Sequence, residues 1–311
     1  MSRSITREFP FVVRLGAYLA ERFPPLRHGI LVAAYYTANQ FLAAALTDGD
    51  TPMRLTPRSV AGALAVLCVF LLLRVLDEHK DFEEDRRKHP ERVLQRGLVT
   101  LRDLRFLGGL CTAFVLLVAL RRGVPALVAM SIVLGFAALM FQEFFVRTWL
   151  RRHLLAYAAS HILIAPLIAA AVYSFTTGRY PWTAPGCFWL YASVRFFLFI
   201  DWEISRKIEQ NMAAGEGYAA ALGRWGAPAV VLAARVVASG LVAAVAARLA
   251  LAAWLYAVPA GLLAVSLAAV VAYGAGRVRW LSISAAAYIL LFDVALAGAL
   301  AARYGLEVDW R

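Results

Sequence analysis

Charged residues are scarce in this sequence. They make up 17% of its 311 residues, whereas soluble domains carry about a quarter. Hydrophobic residues reach 62%, and the mean hydropathy is +0.67. A chain this apolar is not an ordinary soluble domain, so we expect an all-α polytopic membrane protein.

Cysteine is rare as well. Cys68, Cys111 and Cys187 stand alone in apolar stretches. Isolated cysteines indicate neither a disulfide framework nor a zinc site. We interpret them as small core residues.

The net charge of +12 does not indicate a nucleic-acid partner. Lys and Arg beside hydrophobic spans set the orientation of a membrane protein and contact anionic lipid. Residues 1–26 contain four arginines instead of a continuous apolar core, so no cleavable signal is expected. We expect this segment to form an amphipathic helix on the membrane surface.

Nine apolar stretches of roughly twenty residues have the length that crosses the hydrocarbon core as a helix. They lie near 28–47, 60–76, 104–120, 124–142, 153–175, 184–200, 226–247, 250–273 and 280–302. The last three are Ala-rich with short connections, which leaves a count of eight open. The spans predict a single transmembrane domain over 27–311.

The distribution of Lys and Arg predicts the orientation. With the N-terminus inside, 22 of them fall on the cytoplasmic side and 8 on the opposite side, while Arg195 and Arg235 lie within spans. Cytoplasmic loops carry the excess of basic residues. We therefore expect a cell-membrane protein with a cytoplasmic N-terminus, an external C-terminus, and the connections 77–97 and 201–225 together on the cytoplasmic face.

The first of these connections concentrates acidic and basic residues. Asp77, Asp81 and Asp85 recur every four residues, which places them on one face if the preceding helix continues. Such a carboxylate row is costly unless a cation lies among its oxygens, and hard oxygen ligands suit Mg²⁺. Six Lys or Arg follow at positions 80 to 96. The pattern favours a site for Mg²⁺ and a diphosphate; the alternative is a solvated charged loop.

The second connection mixes acid and base again. It runs from Asp201 through Glu203, Arg206, Lys207 and Glu209, and then becomes irregular. The preceding span is rich in aromatic residues, which most often pack or anchor a helix at the interface. Their faces are also able to stabilise a developing cation.

Nine spans with acidic connections after the second and the sixth resemble the UbiA superfamily of intramembrane prenyltransferases. The resemblance covers nearly the whole chain. The family motif Asn-Asp-x-x-Asp-x-x-x-Asp is similar to Asp77-Glu78-His79-Lys80-Asp81-Phe82-Glu83-Glu84-Asp85, with Asp77 and Glu78 replacing the first two residues. Downstream, the Arg-Pro and the following Gly of the family are mirrored by Arg92-Val93 and Gly97, with Val93 replacing the Pro.

The second motif departs from the family pattern Glu-Ile-x-Lys-Asp-x-Glu-Asp. Glu203-Ile204-Ser205-Arg206 and Glu209 are similar to it, but Lys207 and Gln210 occupy the two aspartate positions. A second Mg²⁺ site is thereby weakened. A cation at position 207 would instead hold the diphosphate directly.

The resemblance implies transfer of a prenyl group from a prenyl diphosphate to a lipophilic, commonly aromatic acceptor, with Mg²⁺ as cofactor. It implies catalytic roles for Asp77, Asp81, Asp85 and Glu203, a metal-binding set of Asp77, Glu78, Asp81, Asp85, Glu203 and Glu209, and diphosphate contacts from Arg92, Arg206 and Lys207.

Two other functions stay open. In a UbiA-type terpene cyclase, the allylic cation would be captured by another part of the same prenyl chain. A transporter or membrane scaffold would use the polar residues in or near spans, which are Asn39, Gln40, Glu143, His161, Arg195, Arg235 and Asp293. The structural interpretation of these residues is that Glu143 pairs with Arg147 one turn away and Asp293 with an arginine on another helix.

The orientation is open to a direct test. We expect a single cysteine introduced as Glu84→Cys to react with a membrane-impermeant thiol reagent only when the cytoplasmic face is exposed. Labelling from the outside alone would contradict both the orientation and the shared face of the two connections.

Overall fold

The computed structural model describes residues 10–211 and 218–310, and these are mainly helical. The α-helices are α1 Phe11–Arg22, α2 Pro25–Thr47, α3 Pro57–Lys80, α4 Phe82–Lys88, α5 Leu101–Arg122, α6 Val124–Phe141, α7 Arg147–Arg152, α8 Leu154–Ile162, α9 Ile164–Thr177, α10 Gly186–Asn211, α11 Tyr218–Leu222, α12 Gly226–Arg248, α13 Trp254–Gly274 and α14 Arg279–Tyr304. Two short strands, β1 Met53–Leu55 and β2 Leu306–Val308, complete the described part.

Each of the nine predicted spans falls on a helix, which confirms the all-α polytopic fold. Among the described residues, eight segments are long and apolar enough to cross a membrane by length and composition, with α8 and α9 forming one of them. The ninth predicted span, 184–200, lies in α10, which is not among the eight and carries Arg195, Asp201 and Glu203. A count of nine is therefore not confirmed.

Local capping determines where the two helices beside the acidic stretch begin. At α3 the hydroxyl of Thr56 accepts from the backbone N–H of Ser59 at 3.3 Å, and the Ser59 hydroxyl accepts from Thr56 N–H at 3.2 Å. Thr100 and Asp103 make the same reciprocal pair at the start of α5, at 3.2 and 3.0 Å. Each capping box satisfies donors that would otherwise lack a partner, so the first turns of α3 and α5 are fixed.

The helices pack α3 against α5, α2 against α14, and α10 against α12. Small buried residues such as Ala234, Ala238 and Ala246 on α12 allow close approach. The parallel pair of β1 with β2 joins the α2–α3 connection to the C-terminal end, with Met53 opposite Leu306. Cys111 is buried, and Cys68 and Cys187 are partly buried against the apolar core, in agreement with their interpretation as packing residues.

Two fully buried ion pairs join helices in the bundle. Arg195 on α10 contacts Asp293 on α14, which confirms the prediction that Asp293 pairs with an arginine of another helix. Arg235 on α12 donates to both oxygens of Asp201 on α10, at 2.8 and 2.9 Å. Ionised groups inside a membrane protein require such partners, and these pairs hold α10 in place on two sides.

The helix α10 extends further than the sequence predicts. Residues 201–211 were expected to form a connection but continue α10 without interruption, because Asp201 is held by Arg235 and no Gly or Pro interrupts the segment. The expected irregular stretch at 212–217 lies outside the described residues.

We predict that Asp201→Asn destabilises the protein by about 3–5 kcal/mol, since it leaves the charge of Arg235 buried without its counter-ion. Unfolding in detergent micelles, followed by circular dichroism, measures the effect. Glu307→Gln, which removes the exposed pair with Arg54, is the matched control and should cost less than about 1 kcal/mol. Equal effects of the two substitutions would contradict the role assigned to the buried pair.

Candidate functional site

A cavity of about 790 Å³ lies at the C-terminal ends of α3 and α10. Most of its charged lining comes from the last turns of these helices and from the segment after α3, and Arg22, Glu143 and Arg151 add charged groups from α1 and from beyond α6. Phe70, Leu73 and Phe199 line it from earlier turns, with apolar residues of α6, α8 and α9. Charged groups thus share one cavity with an apolar interior. Such a cavity suits a ligand with an anionic head and a hydrocarbon tail.

Asp77, Asp81 and Asp85 lie along one wall. Although α3 ends at Lys80 and α4 begins at Phe82, the backbone N–H of Asp81 donates to Asp77 O at 2.9 Å and that of Asp85 to Asp81 O at 2.8 Å. The helical register therefore continues through the stretch, and all three side chains line the cavity.

Glu78 lies elsewhere. Its side chain is 1% exposed and accepts from Arg22 Nε at 2.7 Å and Arg74 Nη2 at 2.5 Å, and it does not line the cavity. One residue along a helix turns the side chain by about 100°, so Glu78 faces α1 while Asp77 faces the cavity. This geometry does not support the expected role of Glu78 as a metal ligand.

Asp85 and Glu203 are held by cations. Asp85 Oδ2 lies 2.5 Å from Arg92 Nη1 and 3.9 Å from Arg22 Nη2. On the α10 wall, Glu203 contacts Lys207 at 2.6 Å and Arg206 at 2.8 Å. Burial opposes ionisation of Glu203, but Lys207 and then Arg206 outweigh it and lower the pKa of Glu203 to about 2.

Glu209, the last expected ligand, does not line the cavity. Its carboxylate accepts from the Ser282 hydroxyl and lies 4.0 Å from Arg279. It joins α10 to the start of α14, so its expected metal role lacks geometric support too. Arg92, Arg206 and Lys207, expected as diphosphate contacts, all line the cavity.

Tyr157 on α8 lies among polar side chains whose proximity the sequence did not predict. Its hydroxyl accepts from Lys80 Nζ at 3.0 Å, its ring stacks on His161 at 4.1 Å, and Lys207 Nζ lies 5.6 Å from the ring centroid. Tyr218 of α11 lies 5.7 Å from the same ammonium group. The sequence feature that indicates this cluster is the four-residue spacing of Tyr157 and His161, which places them one turn apart in an apolar span.

Glu143 lines the cavity beyond α6 and is buried. It lies 3.2 Å from Arg147, which confirms the predicted pair, and 3.8 Å from Arg151. Glu143, Phe144 and Phe145 have φ values of 48°, 52° and 60°. Three successive non-glycine residues in the left-handed region are strained, and such strain often occurs at functional sites.

The aromatic part of the cavity is fixed by neighbouring groups. The rings of Phe70 and Phe199 are parallel with centroids 6.3 Å apart, and Tyr35 packs edge-on against Phe70. The Tyr35 hydroxyl donates to Ala165 O at 2.8 Å, and Arg195 lies 5.3 Å from its ring. These contacts hold flat apolar surfaces along the path expected for a hydrocarbon chain.

The residues present fit a Mg²⁺ ion bound together with a phosphate ligand. Asp77 and Asp81 present hard oxygens one helical turn apart, and Mg²⁺ is usually bound by one or two carboxylates plus substrate phosphates. Partial burial, with the charges of Asp77 and Asp85, raises the pKa of Asp81, and a cation would favour its charged form. Within the described ranges, no group of three or more Asp, Glu, His or Cys side chains is arranged to hold a metal ion by itself.

The sequence matches no protein-family model and no curated protein at a significant level, whereas solved structures share its fold. A UbiA homologue from Aeropyrum pernix K1 has a TM-score of 0.69 at 18% identity, covering 86% of this chain and 96% of the homologue. Digeranylgeranylglyceryl phosphate synthase gives 0.60 at 14% identity, with 94% and 99% covered.

A third structure extends the comparison to a bound state. A UbiA homologue from Archaeoglobus fulgidus, bound to GPP and Mg²⁺, gives a TM-score of 0.51 at 15% identity and covers 88% of this chain and 99% of the homologue. At these identities the likeness establishes the fold. The chain is a multi-pass membrane protein with the fold of these UbiA homologues.

The different environments of Glu78 and Asp81 yield a prediction. Glu78→Gln should lower the free energy of unfolding by about 1.5–3 kcal/mol, because it weakens charge-assisted hydrogen bonds from two arginines. Asp81→Asn should leave stability nearly unchanged. Thermal unfolding of both variants in one detergent measures the difference, and a stable Glu78→Gln protein would contradict the anchoring role.

Proposed function

We propose that this chain is a Mg²⁺-dependent prenyltransferase of the UbiA superfamily, which moves a prenyl group from a prenyl diphosphate to a lipophilic acceptor within the membrane. One observation carries the proposal. A single cavity of the UbiA fold joins the Asp77–Asp81 wall and a set of cations to an apolar interior lined by Phe70 and Phe199. A prenyl diphosphate has the same division between anionic head and hydrocarbon tail.

The polar part binds the head group. Asp77 and Asp81 would hold Mg²⁺, which neutralises charge on the diphosphate leaving group. Arg92, Arg206 and Lys207 would contact phosphate oxygens, and charge-assisted hydrogen bonds of this kind are strong. Asp85 keeps Arg92 aimed at the cavity, and Glu203 does the same for Arg206 and Lys207.

The apolar part binds the tail and protects the reactive centre. When the allylic C–O bond breaks, its electron pair leaves with the diphosphate and an allylic cation remains. Aromatic faces attract cations, and Phe70 and Phe199 line the cavity. The bundle around them keeps bulk water from the cation, so that the acceptor bonds to it instead and gives up a proton to the released diphosphate.

Mutation of the acidic wall tests the proposal. Asp77→Asn and Asp81→Asn should each lower the rate of prenyl transfer by roughly 10²-fold or more, because an electrostatic contact to the leaving group is lost. The assay incubates purified protein with Mg²⁺, geranyl, farnesyl or geranylgeranyl diphosphate and a panel of lipophilic acceptors, and identifies products by mass spectrometry.

Glu83→Gln is the matched control, since Glu83 is exposed in the same stretch and does not line the cavity. It should retain full activity. Cyclic hydrocarbon or alcohol products formed without an acceptor would instead favour a terpene cyclase. Wild-type protein that binds and converts no prenyl diphosphate would contradict the proposed function.

A further inference from the structure

Lysine is used selectively in this chain. Of its 32 Lys and Arg residues, only Lys80, Lys88 and Lys207 are lysines, and all three line the cavity. The ammonium group is a compact charge with three donors that turn freely, whereas guanidinium has a rigid planar fork. Point charges of this kind are well suited to phosphate oxygens whose positions change during a reaction.

Lys80 is positioned by Tyr157 and Asp77. Its Nζ donates to the Tyr157 hydroxyl at 3.0 Å and lies 3.8 Å from Asp77 Oδ1. The side chain is only 11% exposed. Its charge therefore lies between the α3 carboxylates and α8, where a head group bound by Asp77 and Asp81 would meet it.

Lys207 brings a second ammonium group to the same tyrosine from the α10 wall. Its Nζ lies 5.6 Å from the ring centroid of Tyr157, the same distance as that of Lys80. Glu203 holds it at 2.6 Å. Two ammonium groups from different helices thus converge on one ring.

The charges on the α10 wall favour an anion over a second metal ion. Glu203 is the acidic side chain that lines the cavity from α10, and both Arg206 and Lys207 contact it. Two positive charges against one negative charge repel a divalent cation and attract a phosphate group.

We propose that Lys80 and Lys207 form a metal-independent anchor for the diphosphate, which replaces a second divalent ion on the α10 wall. The proposal rests on the proposed function, because it assumes that the cavity takes a prenyl diphosphate. Its consequence is that affinity for the diphosphate persists when divalent ions are removed, while cleavage of the C–O bond still depends on the Asp77–Asp81 wall.

Calorimetric titration tests the anchor without any acceptor. The probe is geranyl S-thiolodiphosphate, a diphosphate that resists cleavage, added to full-length protein with Mg²⁺ or with excess EDTA. We expect wild type to bind the probe in EDTA within about tenfold of its affinity in Mg²⁺. In EDTA, Lys80→Met and Lys207→Met should each weaken binding roughly 10- to 100-fold, the range of a charge-assisted hydrogen bond.

Two variants serve as controls. Lys88→Met removes a lysine at the cavity edge that pairs with Glu84 at 2.9 Å and is 55% exposed, and it should change affinity less than about threefold because water screens its charge. Lys207→Arg keeps the charge and should retain most of the affinity, which separates loss of the contact from loss of the fold.

The outcomes distinguish this inference from the proposed function. Wild type that binds the probe in Mg²⁺ but not in EDTA would overturn the anchor and leave the proposed function standing. Binding under neither condition would overturn both. Equal weakening by all three Lys→Met substitutions would show a diffuse electrostatic effect and would also overturn the anchor.

Discussion

Compensation of charge in an apolar environment is the constraint on which this structure depends. An ionised side chain within the bilayer is costly unless a counter-charge lies against it. Inside the bundle the requirement is met by Arg195 with Asp293 and by Arg235 with Asp201, and both pairs are fully buried. They hold α10 against α12 and α14, and so position the helix that forms one wall of the cavity.

At the cavity the compensation is incomplete. Asp85 and Glu203 are held by cations, whereas Asp77 and Asp81 face the cavity with Lys80 beside them. A ligand that brings its own negative charge, together with a divalent ion, completes the balance. The same incomplete pairing accounts for both proposals: the carboxylates of Asp77 and Asp81 attract a cation, and Lys80 together with the α10 wall attracts an anion.

Local sequence patterns predicted the features that depend on local geometry. The four-residue spacing of Asp77, Asp81 and Asp85 placed them on one wall because helical register continues through the α3–α4 junction. The apolar spans likewise predicted the helices, because helix formation depends on local sequence. The spacing rule alone did not distinguish Glu78, one residue further on, whose partner Arg22 lies 56 residues earlier in the chain.

Features formed by distant residues could not be predicted in this way. Tyr157 meets Lys80 across 77 residues, and the continuation of α10 depends on Arg235, 34 residues after Asp201. No pattern within a span encodes these encounters, because they follow from how helices pack. The family-like motif lies at the end of the bundle that holds the cavity, while packing decided which carboxylates face the cavity.

A crystal or cryo-EM structure with a bound prenyl diphosphate analogue and Mg²⁺ tests the central claim most directly. We predict density for the diphosphate between Asp77 and Asp81 on one side and Lys207 on the other, with the hydrocarbon tail against Phe70 and Phe199. A ligand bound outside this cavity, or a diphosphate remote from both walls, would contradict the account.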